Sequence, residues 1–171
     1  MPKRLAFLIL LFTSCGYRLT AAGGPLPGGV KSIDVPMLRN QTTEPGVEGL
    51  LTSEIRHRLD QLGYGSGSGE QATLVAAVTG SGWAPVAPKV SNPTGAGYSV
   101  NDPGLYQVAL TVSARLQRGG ELLWQADNVS MTERYLPSDD LATMEANRRT
   151  ALHRLARELA RELVARLTAG L

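Results

Sequence analysis

Apolar residues along this chain fall into runs of two kinds. Along Lys31-Ser32-Ile33-Asp34-Val35 they alternate and stop at Pro36, which predicts a short strand with Ile33 and Val35 facing a core. From Val47 the period changes. Val47, Leu50, Leu51, Ile55, Leu59 and Leu62 recur at steps that draw one face of an amphipathic helix. Glu48 in its first turn and Arg56 and Arg58 later suit the helix dipole. Gly63 stops it, and Gly65 to Gly69 form a Gly/Ser tip. Ala72 to Ser81 is β-leaning and predicts a second strand. Trp83 to Gly104 holds Pro85, Pro88, Pro93 and Pro103 without a period, and is expected to be a long loop.

The clearest strand follows. Tyr106, Val108, Leu110, Val112, Ala114 and Leu116 alternate with mostly polar neighbours. Gly119-Gly120 is a hairpin turn signal. The return strand is expected from Glu121 to about Met131, with Leu122, Trp124 and Ala126 on one face and Leu123, Gln125 and Asp127 on the other. A largely polar second face implies a sheet covered on one side only. After Pro137, Ser138 or Asp139 is placed to cap a long helix. Leu141, Met144, Arg148, Leu152, Leu155, Leu159, Leu163 and Leu167 run at steps of three and four, with Arg148 the one polar interruption. The charge pairs Arg154/Glu158, Glu158/Arg161 and Glu162/Arg166 lie at helical contact spacing, but like-charge pairs oppose them, so the leucine stripe must hold this helix.

The order β-α-β-β-β-α predicts an α+β fold: a two-layer sandwich with a four-stranded mixed sheet and two helices packed on one face. The first two strands are joined through a helix, so they are expected to pair in parallel; the rest form a meander.

The N-terminus is organised differently. Lys3 and Arg4 precede the apolar run Leu5 to Phe12, which is too short to span a bilayer. Thr13 and Ser14 then lead to Cys15, the only cysteine. This is the layout of a secretory signal segment over residues 1–14. A lone cysteine makes no internal disulfide. At a signal cleavage site its thiol can carry a diacylglycerol and its freed amine a third acyl chain such as palmitate, the bacterial lipoprotein pattern, here with Leu11 one place earlier than the usual leucine. Two or more chains anchor a protein stably to a membrane without spanning it. Residues 15–30, rich in Gly and Pro, read as lipidated terminus and linker, and 31–171 as a single domain.

Charge adds one constraint. Without Lys3 and Arg4 the chain carries 15 basic and 15 acidic side chains, which gives no support to whole-surface attraction to nucleic acid. The basic excess lies in residues 141–171, with six arginines against three glutamates. Catalytic patterns are missing. His57 and His153 sit on the predicted helices without partners at ligand spacing, so no metal site and no cofactor is expected. Asp139-Asp140 reads as a helix start rather than a paired-carboxylate site. Gly65 to Gly69 alternates Gly and Ser between a helix and a strand, the wrong context for a nucleophile elbow. The expectation is a protein that is not an enzyme.

At Cys15-Gly16-Tyr17-Arg18-Leu19 the chain resembles the LptE-type lipopolysaccharide-assembly lipoproteins, whose members begin Cys-Gly-Tyr-x-Leu ahead of a short Gly/Pro-rich stretch. Ser32-Ile33-Asp34-Val35-Pro36, Asn40-Gln41-Thr42 and the Glu48-containing helix resemble the family's strand, Asn-x-Thr turn and helix. The resemblance implies a non-enzymatic lipoprotein anchored on the periplasmic side of the outer membrane, with Gly16 after the cysteine suiting that destination. It implies an LptD-like partner, a large β-barrel of the translocon, which the protein plugs and helps to assemble. It also implies binding of lipopolysaccharide on its way to the outer leaflet. Lipopolysaccharide is rich in phosphate and carboxylate, so Lys89, Arg115, Arg118 and Arg134, in or near the predicted loops, are the expected contacts. Two other roles suit a tethered α+β body: an accessory lipoprotein of another envelope lipid-transport system, or an activator of a cell-wall synthase.

Overall fold

The computed structural model describes residues 26–65, 67, 69–88 and 103–170. Cys15, Lys89 and the Cys-Gly-Tyr-x-Leu start lie outside the described residues. A 3-10 turn at Pro27–Gly29 leads into β1 (Ser32–Asp34) and β2 (Arg39–Asn40). Then come α1 (Val47–Gln61), β3 (Gln71–Pro88), β4 (Pro103–Arg118), β5 (Glu121–Tyr135) and α2 (Leu141–Ala169). The sheet runs β1-β3-β4-β5, and β2 also pairs with β3. β1 and β2 are parallel to β3, while β3, β4 and β5 form an antiparallel meander. This is the expected α+β sandwich, with the two-residue β2 added to the four strands.

The core lies between one sheet face and the two helices. Leu74 and Val78 of β3, Leu110, Val112 and Leu116 of β4, and Leu51, Ile55, Leu155, Leu159 and Leu167 of the helices are all buried. On β4 the even-numbered residues from Val108 to Leu116 are buried and the odd-numbered ones face away, so the other sheet face is open. Arg56 reaches back from α1 and donates twice to the Val35 carbonyl, at 2.9 and 2.6 Å, in the gap between β1 and β2. The β4–β5 turn uses positive φ at Gly119 and Gly120, as a tight two-residue hairpin requires.

Four details differ from the sequence reading. First, β3 runs on to Pro88 and β4 starts at Pro103, so both ends of the expected 83–104 loop are strand, and residues 89–102 lie outside the described ones. Past Val78, β3 pairs only with β4 and is an edge strand, the place in a sheet where prolines such as Pro85 are tolerated. Second, Leu122 faces away from the core. A bulge lets Trp124 pair with Leu116 but Leu122 with Gln117, which puts Leu122 on the open face. Third, α2 is capped by Asp140, whose carboxylate accepts from the Thr143 amide at 2.8 Å, and not by Ser138 or Asp139. Ser138 instead accepts from the Asp140 amide. Fourth, the Gly/Pro stretch turns at Pro27–Gly29 but is not a free spacer there: Leu26 and Val30 are core residues. Arg118 donates to the Gly28 carbonyl at 3.0 Å and pins this segment beside the hairpin.

Candidate functional site

A feature with capacity to bind lies at the end of the sheet away from the hairpin. Its construction starts with Thr79. Val78 pairs with Val112, but Gly80 pairs with Thr111, so β3 carries one extra residue. A one-residue slip moves every later side chain to the other face. Ser81 and Trp83 therefore share the helix-facing side with Leu110 and Val108, their partners on β4. The helices do not close over it there, and Trp83 is 63% exposed. Its ring lies 5.9 Å from Tyr106, which stacks at 5.7 Å on Tyr135, giving an aromatic ladder across β3, β4 and β5.

A cleft of about 610 Å³ opens beside this ladder. One wall is Ser81, Gly82, Trp83 and Tyr135; the other is Leu141, Met144, Glu145 and Arg148 of α2, with Thr43 and Glu44 closing one side. Leu141 is 80% exposed, and Leu136 stands exposed just past Tyr135. The rim is thus apolar and unsatisfied, in the manner of sites that receive a ligand or a partner.

The polar side of the cleft is tightly paired. Arg148 donates to Glu44 at 2.6 Å and holds Glu145 in a fork at 3.0 and 3.2 Å. Those bonds, first from Glu145 and then from Glu44, raise the guanidinium above its ordinary pKa. The hydrogen bond from Arg148 in turn lowers the carboxyl of Glu145. Burial pushes the Tyr135 phenol up, with the Arg148 charge pulling the other way. Arg148 is the polar residue that interrupts the leucine stripe of α2, and its role is to bind the loop ahead of α1. With two carboxylates on one guanidinium, the cleft carries no spare positive charge. Its chemistry suits rings, sugars and alkyl chains rather than a bare phosphate.

The same network explains the Asn-x-Thr block. Asn40 Oδ1 accepts from the amide and hydroxyl of Thr42 at 2.9 and 2.8 Å, while Nδ2 donates to the Glu44 carbonyl and to Glu48, both at 2.8 Å. The block is an Asx turn locked to the first turn of α1. It presents Glu44 to Arg148.

The basic residues picked out in the sequence do not converge. Arg118 lies at the hairpin end, bonded to Gly28 and within 3.6 and 3.9 Å of Glu70 and Glu121. Arg115 pairs in register with Gln125 and Arg134 with Gln107, both on the open face. Eight residues of β4 separate these two rows, roughly 26 Å at 3.3 Å per residue. Arg134 lies at the cleft end of the sheet, but next to Tyr135 in the strand it stands on the opposite face from the cleft. Sequence reading missed Trp83, Tyr106, Tyr135 and Glu44 as a group, because the Thr79 bulge brings Trp83 to the side of the two tyrosines and Glu44 joins them only through Arg148. His57 and His153 are exposed on the helices, His57 beside Gln61 at 2.9 Å. Among the described residues no helix is long and apolar enough to cross a membrane.

One mixed sheet backed by two helices, with an aromatic cleft at one end and paired charges beside it, defines a small two-layer α+β protein. The chain belongs to the LptE lipopolysaccharide-assembly family, whose model matches residues 30–167. At that level it is a lipopolysaccharide-assembly lipoprotein of the cell envelope, in a family of non-enzymatic proteins. Three solved structures share the fold. A putative lipoprotein from Caulobacter crescentus is 18% identical with a TM-score of 0.56, covering 82% of this chain and 90% of its own. The rare lipoprotein B from Shewanella oneidensis is 10% identical with a TM-score of 0.52, covering 81% and 95%. A minor lipoprotein from Acinetobacter baumannii is 11% identical with a TM-score of 0.50, covering 82% and 92%. No curated protein sequence matches the chain significantly.

Proposed function

We propose that this protein is anchored to the outer membrane through acyl chains on Cys15, facing the periplasm. There it plugs and helps to assemble a large LptD-like β-barrel and binds lipopolysaccharide during its passage outward. The observation that carries this reading is the family match over residues 30–167. The site adds chemical support. The Trp83–Tyr106–Tyr135 ladder and the apolar rim at Leu136 and Leu141 suit the sugar and alkyl parts of an amphipathic lipid. The phosphates of that lipid need cations. Arg134 adjoins Tyr135 along β5, on the opposite face of the sheet, and Lys89 follows β3 directly in the chain. Arg115 is a weaker candidate by position, and Arg118 is engaged by Gly28, Glu70 and Glu121.

The test is a gentle solubilisation of the outer membrane of the host, with a C-terminal tag on the full-length protein. A large β-barrel protein retained in equal amount, with lipopolysaccharide lost on Trp83→Ala and Arg134→Gln, is the expected result. Recovery of an inner-membrane transporter or a cell-wall synthase in place of a barrel overturns it. Cys15→Ser is expected to release the protein from the membrane fraction; retention would remove the anchor from the proposal.

A further inference from the structure

The open sheet face holds a second candidate site, away from the aromatic cleft, that takes in Arg115, the weaker of the cations considered above for lipopolysaccharide. Twelve arginines lie among the described residues. Arg39, Arg115, Arg134 and Arg157 are the ones without a hydrogen bond or ion pair there. Two of those four, Arg39 on β2 and Arg115 on β4, line one depression of about 230 Å³. Arg39 pairs with Ala77 of β3, and Arg115 with Val75 two residues back on the same strand. Two strand spacings and two residues put their Cα atoms about 12 Å apart, close enough for both guanidiniums to meet over the floor between them.

That floor is built to be shallow and open. Ala77, Thr79 and Ser113 are small, Val75 gives it an apolar edge, and Gln41 stands on the rim. Ser113 accepts a hydrogen bond from the Asn128 amide at 3.1 Å, so its own hydroxyl proton is free to donate outward. No carboxylate lines the depression. The nearest one along the register, Asp127, is hydrogen-bonded to Gln125, the neighbour of Arg115. Two unpaired guanidiniums over a small-residue floor repel each other until an anion joins them, and planar forked donors suit the oxygens of a phosphoryl group.

The geometry points to a phosphoryl-binding site formed by Arg39 and Arg115 with Ser113. Its ligand is a phosphate group borne by a soluble phosphate ester or by a lipid headgroup. It stands apart from the aromatic cleft and does not depend on the barrel-plug reading: barrel retention tests that reading, while the measurement below addresses this depression alone.

The test titrates the full chain in detergent with inorganic pyrophosphate, and separately with dispersed phosphatidic acid against phosphatidylcholine, following the arginine Nε–H resonances. Saturable shifts at both Arg39 and Arg115 are expected. Response to pyrophosphate identifies a soluble phosphate as ligand, and response to phosphatidic acid alone identifies a lipid headgroup; either supports the site. Arg39→Gln and Arg115→Gln should each weaken binding about tenfold, as expected for losing one charge-assisted contact. Arg157→Gln, an unpaired arginine elsewhere, should leave it unchanged. These side chains are exposed, so thermal melting of each variant checks that the fold is kept. Absence of saturable shifts with both probes, or an Arg157→Gln loss as large as the others, overturns the proposal.

Discussion

Arg148 ties two separate parts of the structure together by charge. It is about one-quarter exposed and bridges Glu44 and Glu145, joining the loop before α1 to the first turns of α2. A pair so placed falls between a solvated surface bridge and a buried one. Arg148→Ala should therefore cost about 2 kcal/mol, much of it from stranding Glu44. Adding Glu44→Gln should recover part of the loss, and chemical denaturation of the two single variants and the double measures that coupling. The same contact predicts a pH dependence. Glu145 is held below its ordinary value, chiefly by the hydrogen bond from Arg148. Its contribution is present above the unfolded-state value and lost as pH falls through the folded one. Melting temperature should drop on acidification below about pH 4, less steeply in Arg148→Ala. In the sequence Arg148 is visible only as a break in a leucine stripe. Its partner Glu44 lies 104 residues away, and no periodicity connects the two.

Among the elements, the helices were legible because each keeps one apolar face throughout. The stripe of α2 is buried from Ala151 to Leu167, and its ends are a side-chain cap at Asp140 and a left-handed Gly170. Leu159 is fully buried at its centre, so Leu159→Ala should cost about 3–4 kcal/mol by equilibrium unfolding. Of the predicted charge pairs, Glu158/Arg161 and Glu162/Arg166 form at 2.9 and 2.7 Å, while Arg154 turns instead to Glu133 of β5 at 3.4 Å. The strands were half legible. Alternation identifies β4 along its length, but bulges in β3 and β5 change the phase, and a reading in phase put Leu122 inside and left Trp83 in a loop. The bulge at Thr79 turns Trp83 onto the cleft side, against the alternation set by Leu74, Ala76 and Val78. Deleting Thr79 removes the extra residue while Gly80 stays opposite Thr111, so Trp83 should remain beside Tyr106 in a regular strand pair and their ring-to-ring NOEs should persist. Loss of those NOEs, with amides of Leu74 to Val78 still protected from exchange, would show that register with β4 does not set the position of Trp83.

Across the whole molecule the two ends differ. The aromatic cleft lies at one, and the β4–β5 hairpin with the docked segment from Leu26 to Val30 lies at the other. Twelve residues of β4 separate Arg118 from Tyr106, about 40 Å. Eleven residues connect Cys15 to Leu26, a reach of at most about 40 Å when fully extended. If acyl chains hold Cys15, the docked segment starts the tether at the hairpin end, the end away from the cleft. Docking depends on Gly28. Its φ of +69° lies in the left-handed region, and an added Cβ would meet Leu123 at 3.0 Å. Gly28→Val should therefore unseat the segment, freeing Arg118 and exposing Leu26 and Val30. The expected cost is about 1–3 kcal/mol, with faster hydrogen exchange at Gly29 and Lys31, whose amides now bond to Leu26 and Glu70. Core amides such as Val112 should keep their protection. In membranes the variant gains leash, so accessibility of a cysteine placed at residue 136 to a bilayer-bound label should rise. Unchanged exchange at Gly29 and Lys31 would mean that the segment is held by Leu26 and Val30 alone, and that the Gly28 turn sets no orientation.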